Sequence, residues 1–152
     1  MIADLLSVQL FRDLSCDEIE AVARFSRHVV LGDGEFLIRE EDTQFDLFVL
    51  LHGGVEIISS QRSVTSEECV LSRASKEVLG EIGWLTQCRR TAAVRCHGAV
   101  EAICIDGKLL SQFLAENPAA GFTVMRNVAL LMAQRLAATD TLLKQILWNA
   151  IL

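Results

Sequence analysis

The stretch LGEIGWLTQCRRTAAV, residues 79–94, reads as one helical turn inserted into a series of short strands. Gly80 permits a close backbone approach or an unusual φ, and a short helix beginning near Glu81 would direct unpaired amides at one point. Arg90 lies nine residues further on, after a loop, and its planar guanidinium matches phosphate oxygens. This spacing indicates either an anion site or a solvated Arg90–Glu81 pair. Glu81 suits an anion site only if the same ligand also offers a hydroxyl group.

Around this stretch, short apolar segments alternate with turn residues, which is typical of an all-β sandwich, barrel or jelly roll. The predicted strands cover residues 28–31, 35–39, 46–51, 55–59, 69–71, 77–79, 91–96 and 100–105. The glycines of His52-Gly53-Gly54 predict a turn between the third and fourth segments.

Helices are predicted at both ends of the chain. Ser15 and Glu18 have the spacing of a capping box at the start of an N-terminal helix. Asp106 is a plausible N-cap for a helix through Leu114. Asn117 followed by Pro118 marks the start of a last helix that runs for roughly 30 residues to the terminus, which is long for a small domain.

The last helix carries a seam of residues at alternating spacings of three and four. These residues are Ala129, Met132, Leu136, Thr139, Leu143, Ile146 and Ala150. Such a heptad seam favours a partner helix and therefore a homodimer. The alternative is that the same face packs on the β domain.

Composition describes an acidic, well-folded chain of one domain's length. Its 152 residues carry a net charge of −6, and 51% of them are hydrophobic. The negative charge argues against nucleic acid as a direct partner, because generic nucleic-acid binders are basic. The N-terminus lacks the pattern of a signal peptide, and no apolar run approaches the ~18 residues of a membrane span. We therefore predict a cytoplasmic protein.

Cysteine and histidine positions argue against a metal site. The five cysteines are scattered without a C-x-x-C pair, and the three histidines are isolated. This pattern indicates reduced thiols that are mostly buried as small apolar residues. A metalloenzyme on a related jelly roll would need clustered ligands that the sequence lacks. No catalytic residue, metal or cofactor is therefore predicted.

The central stretch resembles the phosphate-binding cassette of the cyclic nucleotide-binding domain family, G-E-[aliphatic]-[small]-x-L followed by R-[S/T/A]-A-x-V. The matching positions are Gly80, Glu81, Ile82, Gly83, Leu85, Arg90, Thr91, Ala92 and Val94. The segments LFRDLSCDEIEAVA, GDGEFLIREED and DLFVLLHGGVEI are similar to the family's N-terminal helix, first turn and next strand pair. The resemblance implies a mainly β fold with helices. It would be an eight-stranded antiparallel β-roll (a double-stranded β-helix, jelly-roll-like) with an N-terminal helix and a long C-terminal helix.

The resemblance also implies roles for individual residues. Arg90 would pair with the exocyclic oxygens of a cyclic phosphate, and Glu81 would accept from the ribose 2′-OH, with Gly80 letting the sugar approach. Further contacts to phosphate or sugar would come from the amides of Ile82, Gly83 and Thr91. Thr91 is equally well explained as a β-branched residue that starts a strand.

Contacts to the base are implied from two other regions. In the segment MAQRLAATD of the last helix, Thr139 and Asp140 would lie near the base. Both are equally well explained as polar residues on the exposed face of the helix. Val70, Leu71 and Val78 would supply apolar contacts. The last helices would close over the bound ligand and move the heptad seam.

Three positions depart from the family pattern. Glu41 and Lys76 replace turn glycines, and Arg89 stands where the family often has proline. These changes leave the ligand-contacting groups in place. They also support an alternative function, a degenerate domain that no longer binds nucleotide and serves as a dimerisation or protein-interaction scaffold.

Together these patterns predict a single domain, residues 1–152. It would have an N-terminal helical segment (1–26), a β-roll (27–105) containing the cassette (79–94), and C-terminal helices (106–152). The predicted function is non-enzymatic sensing of cAMP, with cGMP as the other candidate, transmitted through the C-terminal helix to a dimer or an effector protein. Because the sequence ends with the long helix and lacks the DNA-reading domain of the family's transcription factors, we expect no direct DNA binding. The start at Met1 slightly favours a complete small protein.

Overall fold

The computed structural model describes residues 1–40, 42–58, 71–73, 78–88, 90 and 92–151. The helices are α1 (Ile2–Leu6), α2 (Cys16–Arg24), α3 (Glu81–Thr86), α4 (Gly107–Glu116) and α5 (Pro118–Ile151), with a 3-10 turn at Gln9–Phe11. The strands are β1 (Ser26–Leu31), β2 (Phe36–Ile38), β3 (Leu47–Ile58), β4 (Leu71–Arg73), β5 (Val78–Leu79) and β6 (Ala93–Ile105). Strands fill the middle of the chain, and helices stand at both ends as predicted.

The strands form one antiparallel sheet in the order β1-β6-β3-β4, with β2 also paired to β6 and β5 to β3. The prediction of a mainly antiparallel β fold with helices is confirmed. The prediction of an eight-stranded roll is wrong for the part of the chain that the structure describes, where six strands form an open sheet.

The difference in strand number arises because two pairs of predicted strands are continuous. Residues 47–51 and 55–58 of two predicted strands both lie within β3, and residues 93–96 and 100–105 of two others both lie within β6. Gly53, read from the sequence as part of a turn, is instead a bend inside β3 with φ +93°. A Cβ there would lie 2.4 Å from the carbonyl oxygen of Ala99 on the neighbouring strand. Glycine is therefore required so that the paired strands can approach each other at the bend.

Two hydrophobic clusters stabilise the fold. The first lies between the helices and the sheet and includes Phe11, Ile19 and Leu110. The second consists of strand residues only. Its members Ile38 and Val94 also line the cavity described below, so this cluster supplies an apolar wall of the candidate site.

The predicted helix starts are largely confirmed. The Glu18 amide donates to Ser15 Oγ at 3.2 Å, and the Ser15 amide donates to the Glu18 carboxylate at 2.8 Å, which completes the capping box. Asp106 caps α4 by accepting from the Leu109 amide at 2.9 Å. Pro118 opens α5 as predicted. The Asn117 side chain, however, donates back to the Phe113 carbonyl at 2.9 Å rather than accepting from α5.

Among the residues that the structure describes, only the first part of α5 packs on the domain. Asn127 is buried and donates to the carbonyls of Leu10 at 3.0 Å and Arg12 at 2.7 Å, which ties the helix to the N-terminal segment. From Leu136 to Ile151 every residue is exposed. No helix described here combines the length and hydropathy that crossing a membrane requires.

Candidate ligand-binding site

Helix α3 begins at a glycine and is anchored by a tryptophan. Gly80 has φ +88°, a left-handed conformation that glycine adopts without strain, and the first intrahelical bond runs from the Trp84 amide to the Gly80 carbonyl at 3.1 Å. The Trp84 side chain is buried, and its Nε1 donates to the Gly107 carbonyl at 3.0 Å and to Ser111 Oγ at 2.9 Å. The central stretch is thus fixed against α4.

Arg90 is turned inward, with only 8% of its surface exposed. Its Nη1 donates to the Gly80 carbonyl at 2.8 Å, and its Nη2 donates to the carbonyls of Gln44 at 3.2 Å and Asp46 at 3.0 Å. The guanidinium also lies 5.5 Å from the centre of the Phe45 ring, a cation–π contact. The side chain therefore joins α3 to the segment before β3.

One donor of this guanidinium is left without a partner. The Nε of Arg90 is buried and makes no hydrogen bond to any part of the chain described. Desolvation by burial lowers the pKa of Arg90, while Asp42 and Asp46 act in the opposite direction and favour the charged form. A buried unsatisfied donor costs about 1–3 kcal/mol, so an acceptor at this position would be stabilising.

Two glycines of the cassette make the space that Arg90 occupies. A Cβ at Gly83 would lie 2.7 Å from Arg90 Nη1, and a Cβ at Gly80 would lie 2.9 Å from the same atom. Both distances are shorter than an ordinary van der Waals contact, so a side chain at either position would clash with Arg90. The cassette glycines are therefore explained by the packing of Arg90 against the backbone of α3, in addition to the left-handed φ at Gly80.

Glu81 is also buried and is paired across the fold. Its residue surface is 4% exposed, and its Oε1 forms an ion pair with Arg135 Nη1 of α5. Arg135 Nη2 lies 3.5 Å from the Val78 carbonyl oxygen, at the end of β5. A charge-assisted contact thus links the start of α3 to the C-terminal helix.

Arg90, Glu81 and Arg135 line one cavity of about 380 Å³. The other residues of its wall are Ile38, Ile57, Val78, Leu79, Gly80, Ile82, Gly83, Thr86, Cys88, Ala92 and Val94. Three charged side chains therefore share a cavity wall that is otherwise mainly aliphatic. Such a cavity suits a small ligand with an anionic or hydroxylated part and an apolar or planar part.

The structure brings together six of the residues predicted from the sequence, namely Val78, Gly80, Glu81, Ile82, Gly83 and Arg90. Leu71 lies in β4 opposite Ile57, a residue of the cavity wall, but its side chain is outside the described part of the structure. Val70 and Thr91 lie outside the described residues, as do Glu41, Lys76 and Arg89. Thr139 and Asp140 are exposed on α5 and are not among the residues that line the cavity.

Arg135 was missed by the sequence reasoning. Its only signal is its place in the helix, one turn before Thr139, which was predicted to face the ligand. The Thr139 hydroxyl donates to the Arg135 carbonyl at 2.9 Å and so stays on the helix itself. The side chain of Arg135 is longer than that of Thr139 and reaches the cavity, whereas the later residues of α5 do not line it.

No alternative metal centre is found in the described ranges, where no group of three or more His, Cys, Asp or Glu side chains could hold an ion. The four cysteines described are free thiols, with Cys96 and Cys104 buried and Cys16 and Cys88 exposed.

The chain belongs to the cyclic nucleotide-binding domain family, because the model of that family matches residues 28–117, more than half of its length. The family resemblance inferred from the cassette is thereby confirmed. The match includes the cassette and most of the cavity wall, and excludes Arg135 and the rest of α5.

Individual relatives are distant. The chain is 22% identical over 138 residues to the mouse (Mus musculus) cyclic nucleotide-gated channel beta-3, and the match covers 89% of this chain and 20% of the channel. It spans about a fifth of the curated relatives that it matches.

Solved structures share the fold. A cyclic nucleotide-binding domain from Methylobacillus flagellatus KT superposes with a TM-score of 0.78 at 19% identity, covering 95% of this chain and 81% of that one. The regulatory domain of Toxoplasma gondii PKA, crystallised with cAMP, gives a TM-score of 0.72 at 16% identity, covering 88% of this chain and 48% of that one. At these identities the likeness is one of fold.

Proposed function

We propose that this chain is a non-enzymatic regulatory domain that binds a cyclic nucleotide, cAMP or cGMP, and passes the signal on through α5. The observation that carries the proposal is the buried guanidinium of Arg90, with an unpaired Nε, in the same cavity wall as the carboxylate of Glu81. Membership of the family and the cAMP bound to the Toxoplasma relative support the choice of ligand.

Each part of a cyclic nucleotide has a partner in this proposal. A phosphate oxygen accepts from Arg90, and the ribose 2′-OH donates to Glu81 beside Gly80. The amides of Ile82 and Gly83 precede the first intrahelical bond of α3, so they have no partner within the helix, and in this proposal they donate to the ligand. The aliphatic side chains of Ile38, Ile57, Val78 and Val94 pack against the sugar or the base. Val70, Leu71 and Thr91, together with Thr139 and Asp140 on α5, remain proposed ligand contacts.

Calorimetric titration of the purified chain with cAMP and cGMP tests this proposal, with 5′-AMP as the acyclic control ligand. Arg90→Ala removes a charge-assisted contact worth about 1.5–3 kcal/mol and should weaken binding by roughly tenfold or more. Arg126→Ala removes an exposed arginine of α5 and should leave the affinity unchanged. Equal affinities of wild type and Arg90→Ala, with both proteins folded by circular dichroism, would contradict the proposed site.

We further propose that α5 forms a homodimer with a second copy of the chain. Beyond Leu136 the helix has left the domain, yet it carries large apolar side chains, and Leu136, Leu143 and Ile146 of the heptad seam are 63%, 52% and 55% exposed. The start of the seam overlaps the face that packs on the domain, since Met132 packs against the first hydrophobic cluster, whereas from Leu136 onward the seam is exposed. A second copy offers the same seam with the same spacing, as a two-stranded coiled coil requires.

A second candidate function is a dimerisation or interaction scaffold that has lost nucleotide binding. One observation favours it: both predicted ligand groups already have protein partners, since Arg90 bonds to three carbonyls and Glu81 pairs with Arg135. A thermal-shift series separates the two functions. A receptor is stabilised by about 2.7 kcal/mol at a ligand concentration one hundred times its Kd, whereas a scaffold shows no shift with millimolar cAMP or cGMP.

A further inference from the structure

Cys88 is an exposed free thiol in the wall of the candidate ligand cavity. It stands two residues after the end of α3 and two residues before Arg90, and both Thr86 and Arg90 line the same cavity. Because Cys88 meets both the solvent and the cavity, its side chain lies at the rim. The proposed function gives this thiol no role.

Hydrogen bonds hold the turn that carries Cys88. The Gln87 amide donates to the Gly83 carbonyl at 2.9 Å, and the Gln87 side chain donates to the Trp84 carbonyl at 2.6 Å. The Cys88 amide donates to Thr86 Oγ1 at 3.3 Å. Among the described residues, the thiol itself makes only a weak contact, to the Thr86 carbonyl at 3.4 Å. The turn therefore positions the thiol on the cavity wall and leaves it accessible.

The charges of the cavity wall favour an anionic reagent beside this thiol. Two arginines, Arg90 and Arg135, and one carboxylate, Glu81, line the cavity, so these three side chains leave one positive charge in excess. Arg90 is buried, and its Nε has no hydrogen-bond partner in the part of the chain described. A buried unsatisfied donor favours an acceptor next to it. A small anion is therefore attracted to the wall on which Cys88 stands.

We propose that Cys88 is a redox modification site, where a mixed disulfide with a small anionic thiol fills the cavity and excludes the nucleotide. The inference rests on the proposed function, because it requires a ligand that uses the same cavity. The space is limited to about 380 Å³. An adduct of the size of a tripeptide, tethered at the rim and attracted to Arg90, therefore competes with the nucleotide for the same volume.

Thiol–disulfide exchange supplies the reaction. The Cys88 thiol gives up its proton, and its Sγ attacks one sulfur of a small anionic disulfide such as glutathione disulfide. The disulfide bond of the reagent breaks as the new bond to Sγ forms. The other half of the reagent leaves as a thiolate and takes up the proton. Cys88 is thereby oxidised and the released thiol is reduced, and attack by a free thiol later reverses the step.

Glutathione disulfide is the probe for the first experiment, and calorimetric titration with cAMP and cGMP is the readout. Wild type that carries a glutathionyl group on Cys88, as mapped by mass spectrometry, should lose nucleotide binding while remaining folded by circular dichroism. Dithiothreitol should restore the original Kd. Cys88→Ser should have the same Kd before and after the treatment. In the matched variant Cys16→Ser/Cys69→Ser, Cys88 is the one exposed thiol of the described ranges, and binding should be lost as in wild type.

Protection by the ligand tests the shared cavity from the other direction. At one hundred times its Kd, cAMP leaves about 1% of the chain unbound and should slow the modification of Cys88 about a hundredfold. Cys16 is the internal control, because it is exposed but does not line the cavity, and its rate should not change. The ratio of the Cys88 rate to the Cys16 rate should be higher with glutathione disulfide than with cationic cystamine. An equal or lower ratio would overturn the choice of an anionic partner.

Three results would overturn the inference and leave the proposed function intact. The first is a chain glutathionylated at Cys88 that binds cAMP with the Kd of the reduced chain. The second is a Cys88 that stays reduced while Cys16 forms the adduct. The third is a modification rate at Cys88 that is the same with and without bound cAMP. If the reduced chain binds neither cAMP nor cGMP, the inference and the proposed function fail together.

Discussion

Replacing Gly83 with alanine is a direct test of how the cassette holds Arg90. The added Cβ would lie 2.7 Å from Arg90 Nη1 and 3.0 Å from both Cδ and Cζ. The guanidinium cannot remain where it is, and any movement strains the Nη1 bond to the Gly80 carbonyl, now 2.8 Å. The substitution should therefore reduce both stability and ligand binding.

The cost follows from two opposing effects. Loss of one hydrogen bond from a charged donor to a buried carbonyl costs about 1.5–3 kcal/mol. Alanine is favoured over glycine inside a helix by about 0.5–1 kcal/mol, which offsets part of this loss. The net loss is about 1–2 kcal/mol, or roughly 2–8 °C in Tm for a chain of this size.

Thermal unfolding followed by circular dichroism measures the effect. Gly54→Ala is the matched control, because a Cβ there meets nothing closer than the His97 carbonyl oxygen at 4.0 Å. The decisive comparison is a double-mutant cycle with Arg90→Ala, which removes the three atoms nearest to the new Cβ. If Gly83→Ala costs as much in the Arg90→Ala background as in wild type, the reasoning that Gly83 makes room for Arg90 is refuted.

Two further predictions concern α5 and the buried thiols. Leu143→Glu places a charge in the heptad seam and should convert a dimer into a monomer, as measured by light scattering. Gln145→Glu, on the opposite side of the helix, should leave the dimer intact. A wild-type chain that is monomeric at all concentrations would contradict the proposed interface. Burial, with the nearby carboxylate of Asp46, raises the pKa of Cys104 to about 11 from an ordinary 9.0. Below pH 9 the folded chain should therefore leave Cys104 unalkylated while Cys16 and Cys88 react, as read by mass spectrometry. Stability should fall as the pH rises from about 9 to about 11, since the unfolded thiol then loses its proton before the folded one does.

The sequence predicted best those features that depend on near neighbours. The capping box of Ser15 and Glu18 and the cap at Asp106 each involve residues three apart, so local spacing was sufficient to identify them. The cassette glycines were recognised in the same way, although their main physical role, room for Arg90, became visible only when the folded chain placed the side chain of Arg90 against α3.

Strand boundaries and the partners of charged groups required the tertiary structure. Gly53 resembles a turn residue in the sequence, but pairing with β6 keeps the strand continuous through it. Arg90 bonds to Gln44 and Asp46, more than forty residues away, and no local pattern specifies those carbonyls.

The amino-acid sequence by itself determined the family, the cassette and the seam of α5, because each is a pattern of residue types at fixed short spacing. Only the tertiary structure decided that Glu81 pairs with Arg135. That contact depends on the angle and depth at which α5 packs on the domain, which is set by the summed packing of many side chains along the helix.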